Sequence, residues 1–263
     1  MNRATKKSYL DLAQLVQYLH LKIWVGKTKS KQVLPIHKAK THNRNLILFK
    51  PQTANQLQIV IPLLNRGPYE QLRYAIRSMA TVYPNAEFIL VGGKPKWYNG
   101  HHIEHTDYER VNKEQNIRDK VIAGSMGTGK FLFANDDHIL LAPITESYHK
   151  GKLSETIKGR NPSGSYTRLL LNTIAHYGDV DNVDAHCPMW MDSEALQRTN
   201  FEWPMFGLGF KTCYAQENKI ETVFMQDCKV SSIPLDRQWW SMTDDFDVRL
   251  LKNILPNACR FEK

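Results

Sequence analysis

Residues Gly124–Leu140 read GSMGTGKFLFANDDHIL, and the two halves point in opposite directions. Gly124 to Lys130 fit G-x-x-x-x-G-K, the pattern of a phosphate-binding loop. Phe131 to Asp137 are an apolar run that ends in two acids. A working phosphate loop needs a strand, then the glycines, then a helix whose N-terminal amides hold the phosphates. It also needs Ser or Thr after the lysine to reach magnesium. Here residues 109–124 come first, with Val111, Ile117, Val121 and Ile122 at helical spacing, and the residues that follow the glycines are strand-like. Phe131 stands where Ser or Thr is required. The glycines therefore read as a flexible passage from helix into strand, with Lys130 at its solvated end.

The acids carry more information. Asp136 and Asp137 close a buried strand, 131–134, and two adjacent carboxylates there are costly unless compensated. They either cap nearby amides or hold an oxygen-loving divalent cation that bridges to a diphosphate.

Working outward, LQIVIPL (57–63) is a short continuous apolar run, as in a strand buried on both faces. Asn65-Arg66-Gly67-Pro68 is a turn. Residues 69–84 carry Leu72, Ala75, Ile76 and Met79 at helical spacing and stop at Pro84. AEFILVGG (86–93) and HHIEHT (101–106) follow as strands. The order β-α-β-(β)-α-β predicts an α/β domain with a mostly parallel sheet flanked by helices. Ligands of such sheets bind beyond the carboxyl ends of the strands. Those ends are 65–68, 92–95 and 135–138. Residues 145–166 read as a mobile loop, 168–177 as a helix, and the chain from Asp179 as irregular and rich in aromatics.

The chain has 263 residues, 42% of them hydrophobic, enough for a sizeable core. No apolar run approaches the roughly 20 residues of a membrane span. The N-terminus lacks a signal-peptide pattern, because Asp11 and Gln14 interrupt its apolar stretch. Four cysteines, none in C-x-x-C, suit reduced thiols in a cytoplasmic protein. The formal charge is +9, and residues 1–50 hold 11 of the 35 Lys/Arg and one of the 26 Asp/Glu. The remainder is close to neutral. Within this basic segment, 8–21 has helical spacing with Ser8 as N-cap, 26–45 reads as an arm and 46–49 as a short strand. Such asymmetry suits either a polyanionic partner or a merely solubilising arm.

Three ordered blocks, QLRYAIRSM (71–79), FILVGGKPKWY (88–98) and FLFANDDHIL (131–140), resemble the central region of the Stealth-type sugar-phosphate transferases. They look still more like the glycosyltransferase-like proteins of tailed bacteriophages. DAHCPMW (184–190) resembles a His-Pro element of both groups, and WSMTDDF (240–246) and NACRFEK (257–263) resemble closing motifs of the phage group. The resemblance implies a GT-A-like (Rossmann-like) fold over 51–263 with a basic extension over 1–50. It implies a Mn2+ or Mg2+ ion, a UDP-sugar donor (UDP-glucose foremost) and action in the cytoplasm, the host's if the protein is phage-encoded. Asp136 and Asp137 match the metal-binding acids, with His186 as a third ligand or a proton-transfer group. Pro62, Asn65, Arg66, Gly67, Lys94 and, on the two helices, Arg73, Asn116, Arg118 and Lys120 match the donor side. Arg73 and Arg77 either reach the diphosphate or brace the sheet. Asp184 either orients His186 or serves as the base toward the acceptor, a role for which Asp244 and Asp245 compete.

The acceptor reading rests on charge and aromatics. Lys27, Lys29, Lys31, Lys38, Lys40 and Arg44 suit a phosphate backbone, and Trp190, Trp239 and Trp240 suit stacking on bases or sugars. Together with the phage-like core these imply transfer of a hexose to a 5-hydroxymethylpyrimidine in DNA, flipped out of the stack. The second reading is transfer of a sugar-1-phosphate to a glycan hydroxyl of a capsule or cell-surface polysaccharide. The third is a nucleic-acid-binding module on a degenerate core.

Overall fold

The computed structural model describes residues 56–67, 69–108, 113–200, 207–234 and 236–263. The helix, arm and strand expected within 1–50, and the basic residues Lys27 to Arg44, lie outside the described residues.

The central sheet has the order β3-β2-β1-β4-β7. Strands β1 (Gln58–Leu63), β2 (Glu87–Gly92), β3 (His101–Ile103) and β4 (Lys130–Phe133) are parallel, and β7 (Met189–Asp192) closes the edge antiparallel to β4. Helix α1 (Glu70–Val82) connects β1 to β2, and α2 (Lys113–Ser125) leads from β3 to β4. Every residue of β1 is buried, which explains why its sequence is a continuous apolar run and not an alternation. The two faces can still be told apart by neighbours. Ile59, Ile61, Leu63, Phe88, Leu90 and Leu132 join Leu72, Ala75, Ile76 and Met79 of α1 in one core. Val60, Ile89, Val91, Phe131 and Phe133 join Val121 of α2 in the other. Each large apolar side chain buried in this way contributes about 1.5–3 kcal/mol. Helix α2 approaches the sheet closely at Gly124, where a Cβ would press on Val60 Cγ1 at 2.6 Å and Val91 Cγ2 at 2.7 Å.

The connection between α2 and β4 settles the glycine motif. Gly127 (φ 75°) and Gly129 (φ 68°) adopt left-handed conformations in open space, which glycine adopts at little cost. The glycines follow a helix and enter a strand, the reverse of the order a phosphate loop needs, and Gly129 is tied to Ser193, its amide donating to Ser193 Oγ at 3.1 Å and its carbonyl accepting from the Ser193 amide at 2.9 Å.

A second sheet, β5-β10-β9, pairs β5 (His138–Leu140) antiparallel with β10 (Trp239–Met242) and β10 parallel with β9 (Lys229–Val230). Strands β6 (Tyr148–His149) and β8 (Val223–Phe224) form a third. The stretch 145–166, expected as a loop, instead holds β6, α3 (Leu153–Ile157) and the start of α4 (Ser165–Tyr177). The reason is a small core of its own, Leu153 with Leu169 and Leu170. The described residues of the last third form β7, α5 (Ser193–Arg198), α6 (Phe210–Glu217), β8 to β10 and a 3-10 helix, Val248–Asn253. Its elements are short and pair across long sequence gaps, which local periodicity cannot reveal. Among the described residues no helix is long and apolar enough to cross a membrane.

Candidate functional site

The strand order defines a switch point. From β1 the chain moves outward to β2 and β3, then returns to place β4 on the other side of β1. The carboxyl ends of β1 and β4 therefore mark the usual ligand position in open α/β sheets. Residues 64–67 and 134–137 follow those ends. Because β7 is antiparallel, with Met189 opposite Phe133, residues 184–188 reach the same edge.

Asp136 and Asp137 form the turn between β4 and β5. The turn is pinned by the Ala134 amide donating to Val60 O at 3.1 Å and the Met242 amide donating to Asp137 O at 2.9 Å. Burial, and then the charge of Asp137, push the Asp136 carboxyl up to about 6. Asp137 Oδ2 accepts from Ser241 Oγ at 2.7 Å and lies 3.6 Å from Lys229 Nζ, which is equally far from Asp244 Oδ1. Asp137 Oδ1 is buried and accepts no hydrogen bond, with His138 Nε2 3.7 Å away, beyond hydrogen-bond range. His138 is fully buried; its Nδ1 accepts from the Asn135 amide at 3.1 Å, and burial pushes its pKa down to about 3, so the ring is neutral.

A divalent cation fits this pair. Burial opposes the charge on Asp136, and Asp137 offers an unpaired oxygen, as expected where a cation completes the set. Magnesium-type ions often take one or two carboxylates and draw their remaining ligands from water and substrate phosphates. Among the described residues no three His, Cys, Asp or Glu side chains converge on a metal-sized site. His186 therefore does not converge with Asp136 and Asp137 in the expected trio.

His186 is engaged elsewhere. Its Nδ1 lies 2.9 Å from Asp227 Oδ2 and 3.0 Å from Oδ1, and its amide donates to Asp227 Oδ1 at 3.0 Å. Lys150 Nζ bonds Asp227 Oδ2 at 3.0 Å. Burial pushes the Asp227 carboxyl up, but the His186 hydrogen bond and the Lys150 charge outweigh it and hold the group well below the ordinary carboxylate range. Lys211, nearly buried, donates to Ala185 O and, at 3.0 Å, to Cys187 O, fixing the backbone on both sides of His186.

Asp184 does not orient His186. Its Oδ1 accepts from the Lys211 amide at 2.9 Å, and its Oδ2 accepts from Thr212 Oγ1 at 2.6 Å and the Thr212 amide at 3.3 Å. It caps α6 from outside, because Gly209 at the N-cap has no side chain to do so. Asp184→Ala should cost about 1–2 kcal/mol in urea denaturation, while an Asp184→Asn protein should recover part of that. Equal stability of both with wild type would remove the capping role. Asp245 is exposed, with its carboxyl lowered by a hydrogen bond from the Thr243 side chain, and Asp244 is fully exposed.

The donor-side residues divide. Asn65, Arg66, Gly67 and Lys94 are exposed at the edge. The Asn65 amide donates to Asp107 Oδ2 at 2.8 Å and its side chain to His105 O at 3.0 Å. Tyr69, the N-cap of α1, sits at φ 52° with no side-chain cap, so the first amides of α1 lack a capping side chain. The others are structural. Pro62 is buried within β1. Lys120 is buried, bonded to Leu63 O and Asp107. Asn116 clamps the Tyr108 backbone through both amide atoms at 2.9 and 3.1 Å, and Arg118 pairs with Asp119 at 2.6 Å. Of the two readings of Arg73 and Arg77, the structure takes the brace. Arg77 is bidentate to Glu262 at 2.7 and 2.8 Å; Arg73 lies 3.5 Å from it and 4.8 Å from the Trp97 ring centroid.

The expected aromatic platform is not one. Trp240 is 0% exposed and Trp239 5%, because β10 is the middle strand of its sheet. Trp190 is half-buried, its Nε1 donating to Ile144 O at 2.7 Å, with Lys130 Nζ 5.1 Å from its ring. A cavity of about 520 Å³ lies at the opposite, amino-terminal ends of β1 and β2, beside Leu57, Ala86 and Arg260, away from every group above.

Sequence reasoning missed Asp227, Lys150, Lys211, Lys229 and Ser241. They sit 24 to 104 positions from the residues they serve, and no spacing motif joins them. Compared with known proteins, the chain matches no family model and no curated protein.

Proposed function

We propose that the chain is a metal-dependent nucleotide-sugar transferase with a GT-A-like arrangement of its α/β domain. It moves a hexose from a UDP-sugar, UDP-glucose foremost, to a hydroxyl acceptor. The observation that carries this reading is the Asp136–Asp137 pair at the switch point, one carboxyl destabilised by burial and one buried oxygen left unpaired. When bound there, Mn2+ or Mg2+ would neutralise the diphosphate as it leaves. Asn65, Arg66, Gly67 and Lys94 line the donor edge, and the uncapped N-terminus of α1 favours an anion there. Lys229 adds positive charge beside Asp137. His186, with a ring about one-third exposed, supplies a base at the same edge. Asp184 caps α6 and Asp245 is exposed, so neither is assigned a step in this proposal.

The acceptor we propose is a 5-hydroxymethylpyrimidine of DNA, in the cytoplasm. Its support is the charge of residues 1–50, since Trp239 and Trp240 are buried and the Trp190 indole is half-buried and bonded to Ile144 O. The test is incubation with Mn2+, a UDP-sugar panel and hydroxymethylated duplex DNA, followed by digestion to nucleosides and mass analysis. A hexose-sized mass gain on the modified base, with UDP released, is expected. No gain on any base removes the DNA acceptor. Release of UMP in place of UDP, with sugar-phosphate on a glycan, replaces the proposal by sugar-1-phosphate transfer.

A further inference from the structure

The geometry points to Asp227 as the positioning residue of His186, with Lys150 as its brace, setting the imidazole tautomer so that Nε2 takes the proton of the acceptor hydroxyl. This rests on the transferase reading above. In the step, the acceptor O–H bond breaks and its proton goes to Nε2. The oxygen forms the new bond to the anomeric carbon. The bond from that carbon to the diphosphate oxygen breaks, and its electron pair leaves with the diphosphate.

Four observations carry the assignment. Both Asp227 oxygens lie within 3.0 Å of Nδ1, and an ionised carboxylate only accepts, so Nδ1 carries the hydrogen. The other ring nitrogen, Nε2, is then the bare one, and it has no hydrogen-bond partner among the described residues. The contact is fixed at both ends: the His186 and Cys228 amides each donate to Asp227 Oδ1 at 3.0 Å, and Lys150 holds Oδ2. Residues 184–188 lie at the edge that carries Asp136 and Asp137, because β7 is antiparallel to β4. A carboxylate that fixes a histidine tautomer and steadies the imidazolium is the established way to make that ring a base.

The charged and titratable groups around the ring come from several elements. His138 on β5 interacts with it electrostatically. Lys211 on α6 holds the carbonyls of Ala185 and Cys187. Asp227 and Cys228 come from the β8–β9 connection, Lys150 follows β6 with Tyr166 of α4 5.8 Å away, and Asp184 and Cys187 belong to its own segment. Asp227 is the one that touches the ring.

The experiment is 15N NMR of the full chain, with the His186 signal identified by its loss in His186→Gln, together with steady-state kinetics. In Asp227→Asn the Nδ1–H form should give way to Nε2–H. We expect kcat to drop about a hundredfold or more, with the donor KM within about twofold, a split that a merely structural carboxylate would not give. Lys150→Met, which keeps the Asp227 contact, should keep the Nδ1–H form. An unchanged tautomer in Asp227→Asn overturns the assignment, as does a tautomer change with kcat within about threefold of wild type. Should Asp227→Asn fail to fold, a wild-type spectrum with the hydrogen on Nε2 overturns it. The NMR readings need no substrate, so a chain that transfers no sugar yet switches tautomer loses the transferase reading and keeps Asp227 as the residue that sets the ring.

Discussion

Asp137→Ala is expected to lower metal-dependent UDP release about a thousandfold, roughly 4 kcal/mol of transition-state stabilisation, and to weaken Mn2+ binding in the presence of UDP. The argument is local. Asp137 Oδ2 is held by Ser241 Oγ at 2.7 Å and its backbone by the Met242 amide, so the unpaired Oδ1 is fixed in place. Removing Ser241 alone keeps the carboxylate but frees its rotamer, and Ser241→Ala should cost about tenfold. Stability should respond differently. The Asp137 charge adds to the burial that raises Asp136, and deleting it relieves that strain, so the urea midpoint should stay within about 1 kcal/mol of wild type or rise. Unchanged turnover and unchanged Mn2+ affinity in Asp137→Ala would take the metal away from this pair.

Trp240→Ala should be the most destabilising single change among the tryptophans, at about 3–5 kcal/mol, with the melting temperature lower by about 10 °C. The side chain is fully buried in the middle strand of β5-β10-β9. Its neighbours in sequence, Ser241 and Met242, are the residues that hold Asp137. Loss of the ring should therefore loosen the carboxylate as well as the core, and Mn2+ affinity should fall together with stability. A stacking residue would behave in the opposite way, weakening DNA binding at constant melting temperature; that result would return Trp240 to the acceptor surface.

The first half of the domain was legible because its elements are local. Apolar runs at 57–63 and 86–93 and the helical spacing of Leu72, Ala75, Ile76 and Met79 each report on a few adjacent residues, and β1, β2 and α1 lie there. Strand order then decided between the halves of GSMGTGKFLFANDDHIL. The candidate site was legible only where its groups are adjacent in sequence, at the Asp136–Asp137 turn between β4 and β5. Where it is assembled from distant segments, residue type misled. Asp184 beside His186 looked like its partner, but its oxygens turn to the start of α6, and Asp227, 41 positions from His186, takes the ring. Lys120 looked like a donor-side residue because it lies on the helix before the acidic strand, yet its ammonium is satisfied by Leu63 O and Asp107. The aromatics misled for a related reason: an apolar ring near a basic chain suits a platform, but a middle strand needs large side chains more.

The hydrogen bond between Ser241 and Asp137 also bears on the order in which the molecule is made. It spans 104 positions, and the Arg77–Glu262 clasp that braces α1 spans 185. Contacts of such sequence separation close late, after loop-closure entropy has been overcome. A chain growing from the ribosome can form β1, α1 and β2 early, but Asp137 gains its anchor only after residue 241 has emerged. During that interval the nascent chain carries the acids without the hydrogen bond that holds Asp137 in place.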